Sequence, residues 1–359
     1  VRARALLARA ALLAGSVLVA ALAAEAAVRV LALGRKKWGP PWVEDHEHRV
    51  LAPATGLDAY ARRTGDFFLP YELTPGTDVL MCYQQPTPAW FDGRGCVPVR
   101  INELGLRDRE VPREPAPGTR RLIAVGDSFT FGLGIRLEDT WPKQLERGLR
   151  ERDPAIEVLN AGFAGGYEIS HYVTWLIRKG FALKPEGVVL GVCLNDVGNV
   201  PMTIYEPSPI AFPLRRWSRL ADLLVGWLED RRATRVPDPD ACWSKYQRGH
   251  PAGEPWLWWE EALVTAQGFC RTQDARLLVV VFPMMVSLDA HYPFLRFHEA
   301  VVEACRREGI ACLDLLPGFL GRDARSLWVH PADQHLAPEG NRLAARALRE
   351  RLERDGWVR

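Results

Sequence analysis

From residue 121 to the C-terminus, compact apolar runs alternate with amphipathic stretches. The runs predict strands near 121–126, 156–160, 186–193, 277–282 and 311–314. The amphipathic stretches predict helices near 139–151, 167–180, 256–273, 295–308 and 337–354. An unbroken apolar run such as 122–125 marks a strand buried on both faces, and strict strand–helix alternation marks a parallel sheet with helices on either side. The predicted fold class is α/β, a three-layer α/β/α sandwich. Residues 38–120 lack helical periodicity and are punctuated by Pro40-Pro41, Pro75-Gly76, Asp92-Gly93 and Pro117-Gly118. They predict a small β-rich accessory segment, 35–118, packed on a main domain spanning 119–359. Within it Asn102 and Arg107 reach the rim of a site or, as the simpler reading has it, serve their own turn.

Residues 197–255 interrupt the alternation with Pro201, Pro207, Pro209 and Pro213, a short amphipathic run at 217–229, and a second proline-bounded stretch. A segment this long between core elements predicts a cap insertion. Trp217, Trp227 and Trp243 in it either line an acyl or sugar subsite or hold the insertion together.

The N-terminus adds a different element. Arg2, Arg4 and Arg9 precede an uninterrupted apolar run at 10–24, and apolar character resumes beyond Glu25 as far as Leu33. This predicts a transmembrane helix within 1–34, an uncleaved anchor with its N-terminus in the cytoplasm. Ala21-Leu22-Ala23 keeps open a cleaved signal peptide, and a helix of a soluble core is the third reading. Both export readings place the rest of the chain outside, so the expected address is a single-pass inner-membrane protein with a periplasmic catalytic domain.

Composition changes this picture little. Of 359 residues, 48% are hydrophobic and 25% charged, with a net charge of +2, so a packed core is expected and no nucleic-acid partner is. Basic and acidic residues interleave, as in Arg107-Asp108-Arg109-Glu110, which reads as a solvated face. The seven cysteines form no C-x-x-C pair, and no structural zinc is expected. Cys82 and Cys96 flank a turn-rich loop and can pair in an oxidising compartment, as can Cys305 and Cys312; Cys193 reads as a small buried hydrophobe.

The chemistry lies at the ends of the predicted strands. The first stops at Gly126-Asp127-Ser128, where open α/β sheets place their ligands, although a serine there also serves as a helix N-cap. A second ends at Leu194-Asn195-Asp196, and Asp333-Gln334-His335 precedes the C-terminal helix. Serine acyl chemistry needs a base for the hydroxyl, an acceptor to orient that base, and N–H donors for the oxyanion. His335, Asp333 and the Asn195 amide offer these.

At this point the chain resembles the SGNH (GDSL-type) hydrolases over residues 119–354. Gly126-Asp127-Ser128 is similar to their nucleophile block, Asn160-Ala-Gly-Phe-Ala-Gly165 to their glycine block, Asn195-Asp196 to their asparagine block, and Asp333 with His335 to their terminal acid and base. The resemblance implies a five-stranded parallel sheet of order 2-1-3-4-5, catalytic Ser128, His335 and Asp333, and an oxyanion hole from the backbone of Ser128 and Gly165 with the Asn195 side chain. It implies no cofactor and no metal. In the usual pattern the acid stands three residues before the histidine; here Ala332 holds that place and Asp333 lies two before. The implied function is an extracytoplasmic serine esterase acting on a small-molecule or glycan O-acyl ester, such as acetyl groups on an envelope component, with the membrane met through the N-terminal helix. Rivals are an O-acyltransferase using the same site and a non-catalytic, membrane-tethered carbohydrate-binding or assembly subunit. A metallophosphoesterase, with Asp127, Asn195, Asp196 and His335 as ligands, would lack an upstream Asp-x-His and an Asn-His pair. Asp127 and Asp196 read as structural acceptors, His330 as a decoy base whose role is surface or loop packing, and His171 as an ordinary helix position.

Overall fold

The computed structural model describes residues 2–31, 41–53, 57–66, 68–85, 87–198, 218–221, 223–225, 238–240, 242–243 and 254–358. Trp217 and Trp227, and most of the predicted cap, lie outside the described residues. The chain forms two compact units, one from 1–39 with 205–235 and the other from 40–204 with 236–359.

In the first unit a helix runs over Arg2–Val30. Its segment Leu12–Val30 has a mean hydropathy of 1.8 and is long and apolar enough to cross a membrane. Leu12, Leu13, Val17, Leu18, Val19 and Leu22 are all exposed, as side chains of a core helix would not be. Glu25, the acid that interrupts the apolar run, accepts from the Arg219 and Leu220 amides and from the Ser218 hydroxyl.

The second unit opens with six strands: β1 (Trp42–Glu44), β2 (Val50–Pro53), β3 (Ala61–Asp66), β4 (Leu69–Leu73), β5 (Asp78–Cys82) and β6 (Cys96–Arg100). Four form a sheet of order β2-β1-β5-β6, and β3 pairs with β4 as a hairpin. A disulfide joins Cys82 and Cys96, which face each other in the β5–β6 register. Cys305 and Cys312 are free thiols, and Cys193 is free and buried.

Five strands then build the main sheet: β7 (Arg120–Gly126), β8 (Ile156–Gly162), β9 (Gly187–Cys193), β10 (Arg276–Phe282) and β11 (Ala311–Asp314). All pairs are parallel, in the order β11-β10-β9-β7-β8. Numbered along the sheet's own strands, that is 2-1-3-4-5, as the resemblance implies. The helix Trp141–Arg150 packs on the C-terminal helix Pro338–Arg354, and Ile169–Arg178 packs on Glu254–Thr272. Covered by helices, β9 has no exposed residue, which is why its sequence is an unbroken apolar run. The chain leaves β7 for β8 on one side and crosses back to β9 on the other. This reversal opens a crevice beyond the carboxyl end of β7.

Candidate active site

Ser128 stands at that crevice, at the head of a four-residue helical turn, Ser128–Phe131. The N-cap is Asp127 rather than Ser128: its Oδ1 accepts from the Phe129 amide, which leaves the Ser128 hydroxyl uncommitted to the backbone. The turn lies directly on β8, for a Cβ at Gly162 would come within 2.0 Å of the Phe131 nitrogen. Only a glycine permits that approach. The register pairs Gly126 with Gly162, and the Phe163 amide donates to the Gly126 carbonyl at 2.9 Å, so the glycine block runs past the end of β7. Asn195 follows β9 by two residues and begins the short helix Asn195–Gly198. Its amide makes no hydrogen bond among the described residues, and its buried Oδ1 has no partner there.

The acid and the base arrive on a hairpin of β12 (Trp328–His330) and β13 (Asp333–Leu336). Side chains along a strand alternate between faces, so residues two apart share one. A two-residue spacing therefore puts Asp333 and His335 on the same side of β13. His335 Nδ1 donates to Asp333 Oδ1 at 2.5 Å, the His335 amide donates to the same oxygen at 3.0 Å, and Ser128 Oγ donates to His335 Nε2 at 2.7 Å. All three side chains are buried.

Charge follows geometry. Burial works to lower the His335 pKa, but the Asp333 charge and hydrogen bond, with the Asp127 charge, outweigh it and hold the imidazole above its ordinary 6.5. Burial works to raise Asp333, yet His335 and the hydrogen bonds it receives bring it below its ordinary value. Such an arrangement can take a proton from a serine hydroxyl and stabilise the imidazolium that results.

Asp127 and Asp196 are acceptors of loop groups, the role read from sequence. Asp196 takes the Tyr172 hydroxyl and the Cys193 amide, both at 2.9 Å. Burial pushes Asp127 up to about 6, and burial with the neighbouring Asp127 charge pushes Asp196 well above the carboxylate range. His330 is not at the surface: it is buried, bonded to the Gln84 carbonyl and the Ala332 amide. His171 does more than occupy a helix position, since its Nδ1 accepts from the Glu168 amide in a capping box. Trp243 packs edge-on against Phe297 of the helix Leu295–Arg307, outside the insertion.

The accessory segment supplies what sequence reasoning missed. Arg107 belongs neither to a rim nor to its own turn. Its buried guanidinium donates to the carbonyls of Phe131, Gly132 and Ile135 and so clamps the far end of the Ser128 turn. Desolvation lowers it to about 10. Asn102 does hold a turn, accepting from the Leu104 and Leu106 amides. Asp108 accepts from the Asn160 amide at 2.8 Å at the start of the glycine block. Tyr83 donates to Asp333 Oδ2 at 2.7 Å. The buried Tyr71 phenol, raised by desolvation, lies by the Gly165 and Ala164 amides, which act against that rise.

Among solved structures the chain is similar to a G-D-S-L-family lipolytic protein from Desulfitobacterium hafniense DCB-2, with 16% identity over 65% of this chain and 99% of that one, at a TM-score of 0.39. It is also similar to an acetylxylan esterase from Geobacillus stearothermophilus, at 16% identity, 67% and 96% coverage, and a TM-score of 0.39. A G-D-S-L-family lipolytic protein from Veillonella parvula DSM 2008 matches at 13% identity, 66% and 100% coverage, and a TM-score of 0.39. No curated protein matches. The model of the GDSL-like lipase/acylhydrolase family matches residues 124–343, from within β7 to the C-terminal helix and more than half of the chain; the protein belongs to that family and hydrolyses ester bonds.

Proposed function

We propose that the protein is an extracytoplasmic serine esterase, anchored in the inner membrane, that removes O-acyl groups such as acetyl from a glycan or another envelope component through an acyl-serine intermediate. The hydrogen-bonded run from Ser128 Oγ through His335 to Asp333 is the observation that carries this reading. Ser128 Oγ attacks the ester carbonyl while His335 Nε2 takes its proton. The Oγ–C bond forms, and the tetrahedral oxyanion is received by the Ser128 and Gly165 backbone N–H groups and the Asn195 amide. His335 returns the proton to the leaving alcohol as the C–O bond breaks. Water then repeats the sequence and releases the acid. Asp333 holds the imidazole in the tautomer that faces Ser128. The exported address is supported by the apolar helix and by the Cys82–Cys96 disulfide, a bond that persists in oxidising compartments. A catalyst tethered to a membrane meets acyl esters carried by the envelope around it.

The test uses the full chain in detergent, a fluorophosphonate probe, and p-nitrophenyl esters of increasing acyl length. Covalent labelling with hydrolysis is expected, strongest on the short esters. Labelling without hydrolysis would favour transfer to a sugar hydroxyl, and a folded protein that does not label at all would end the reading. With His335 held above 6.5, kcat/KM should fall as pH drops and the imidazole protonates, with its midpoint above that value. A profile that stays flat down to about pH 5 would contradict His335 as the base. Asn195→Ala should lower kcat by about 100- to 1000-fold. It should barely move Tm, because the amide has no hydrogen bond among the described residues to lose.

A further inference from the structure

We infer that Tyr83, the residue that follows β5 of the accessory segment, is a positioning residue for the acyl-transfer chemistry: its hydroxyl holds the second oxygen of Asp333 and so sets how the acid grips His335. The inference rests on the Ser128–His335–Asp333 reading and adds a residue to it. Because acid and base are only two positions apart, His335 draws twice on one carboxylate oxygen, through its amide at 3.0 Å and through Nδ1 at 2.5 Å. Asp333 Oδ2 is thereby turned away from the imidazole in a residue that is 2% exposed. A buried carboxylate oxygen needs a donor. Tyr83 supplies one at 2.7 Å from 250 residues away in sequence.

Tyr83 is held firmly enough to do this. It follows Cys82, which is bonded to Cys96, and its amide donates to the Gly95 carbonyl at 2.9 Å. The ring lies between Phe91 and His330, at centroid distances of 5.2 and 5.1 Å. Room for the hydroxyl comes from Gly134, just beyond the Ser128 turn, where a Cβ would stand 2.7 Å from it. The phenol is buried, and desolvation together with the Asp333 charge raises it well above its ordinary value, so it remains a donor at any working pH.

A phenol donating to a carboxylate disperses its charge. Without it, Asp333 becomes a stronger acceptor for the His335 Nδ1 proton and the imidazolium is favoured. Asp127, whose charge also bears on His335, and His330 and Arg107, which neighbour Tyr83 and Asp333, are unchanged by the substitution.

The experiment is Tyr83→Phe in the full chain, which keeps the ring packing and removes only the donor. Loss of a hydrogen bond to a charged group predicts a fall in kcat of about tenfold to a hundredfold, with KM unchanged within about twofold. The acid limb of the kcat/KM profile should move to higher pH. The low-field proton resonance of the His335 Nδ1–Asp333 bond, read without substrate, should shift. In an Asp333→Asn background the same change should have no further effect on kcat. A variant with wild-type kcat, pH limb and proton resonance overturns the inference, as does one that loses only Tm. Wild-type protein that neither labels with fluorophosphonate nor hydrolyses ester would remove the underlying reading as well, whereas active wild type with an indifferent Tyr83→Phe removes this inference alone.

Discussion

Replacing Ser128 by alanine should lower ester turnover by about a millionfold while leaving the fold intact. The hydroxyl's only hydrogen bond among the described residues is the one to His335 Nε2, so its loss removes the nucleophile and little else. The turn it heads is capped by Asp127 and clamped by Arg107, neither of which uses the serine side chain. The stability cost should therefore not exceed about 1 kcal/mol, a shift of a few degrees in Tm. His335→Ala should cost a similar amount of turnover, and the double variant hardly more than either, because nucleophile and base act as one unit. Initial rates on p-nitrophenyl acetate, corrected for spontaneous hydrolysis and paired with a melting curve, decide the matter. Turnover within tenfold of wild type in a folded Ser128→Ala protein would exclude Ser128 as the nucleophile.

Asp333→Asn should lower kcat by about 10,000-fold. An amide in that place can donate to His335 Nδ1 where the carboxylate could only accept. The tautomer then reverses and presents Nε2–H to Ser128, which cannot remove its proton. The pH profile should move as well. In the native protein the Asp333 charge and hydrogen bond hold the imidazole up against burial. With the charge gone, burial prevails and the His335 pKa falls, so the acid limb of whatever activity remains should shift to lower pH. That is the opposite direction from Tyr83→Phe, which leaves the charge and removes its brace. Measuring both limbs on one substrate separates the two roles, and a common direction for the two variants would contradict the account of how Asp333 and Tyr83 divide the work.

Much of the fold was legible because parallel strands buried on both faces leave a strong mark. Each of the five apolar runs became a strand, and the helix expected near 139–151 is found at Trp141–Arg150. The strand order came from the resemblance, since periodicity says nothing about which strand lies beside which. The blocks that carry Ser128, Gly165 and Asn195 stand together because parallel strands bring all their carboxyl ends to one edge. The shortened acid–base spacing looked like a departure from pattern; as a strand it is simply the distance at which two side chains share a face.

The turn role of Asn102 was legible, but the contacts that Tyr83 and Arg107 of the accessory segment make with the site escaped. Tyr83 follows a cysteine in a turn-rich stretch, and nothing local relates it to a residue 250 positions away. Arg107 sits in a run of alternating charges that reads as solvated surface, yet its side chain is fully buried and its guanidinium donates to the backbone carbonyls of Phe131, Gly132 and Ile135. A buried guanidinium and an exposed one have the same one-letter code. Cys82 at the end of β5 was the nearest available signal, because a disulfide at that point fixes the next residue in place.

The placement of Asp333 and His335 on β13 also sets which length changes this site can survive. A strand counts in twos. One residue inserted between acid and base would turn the histidine to the opposite face, away from Ser128, whatever residue was inserted. Two residues would restore the face but carry the imidazole roughly 7 Å along the strand. The short spacing is thus locked to the hairpin that bears it, and a gap in an alignment at this point signals a rebuilt hairpin rather than a neutral slip.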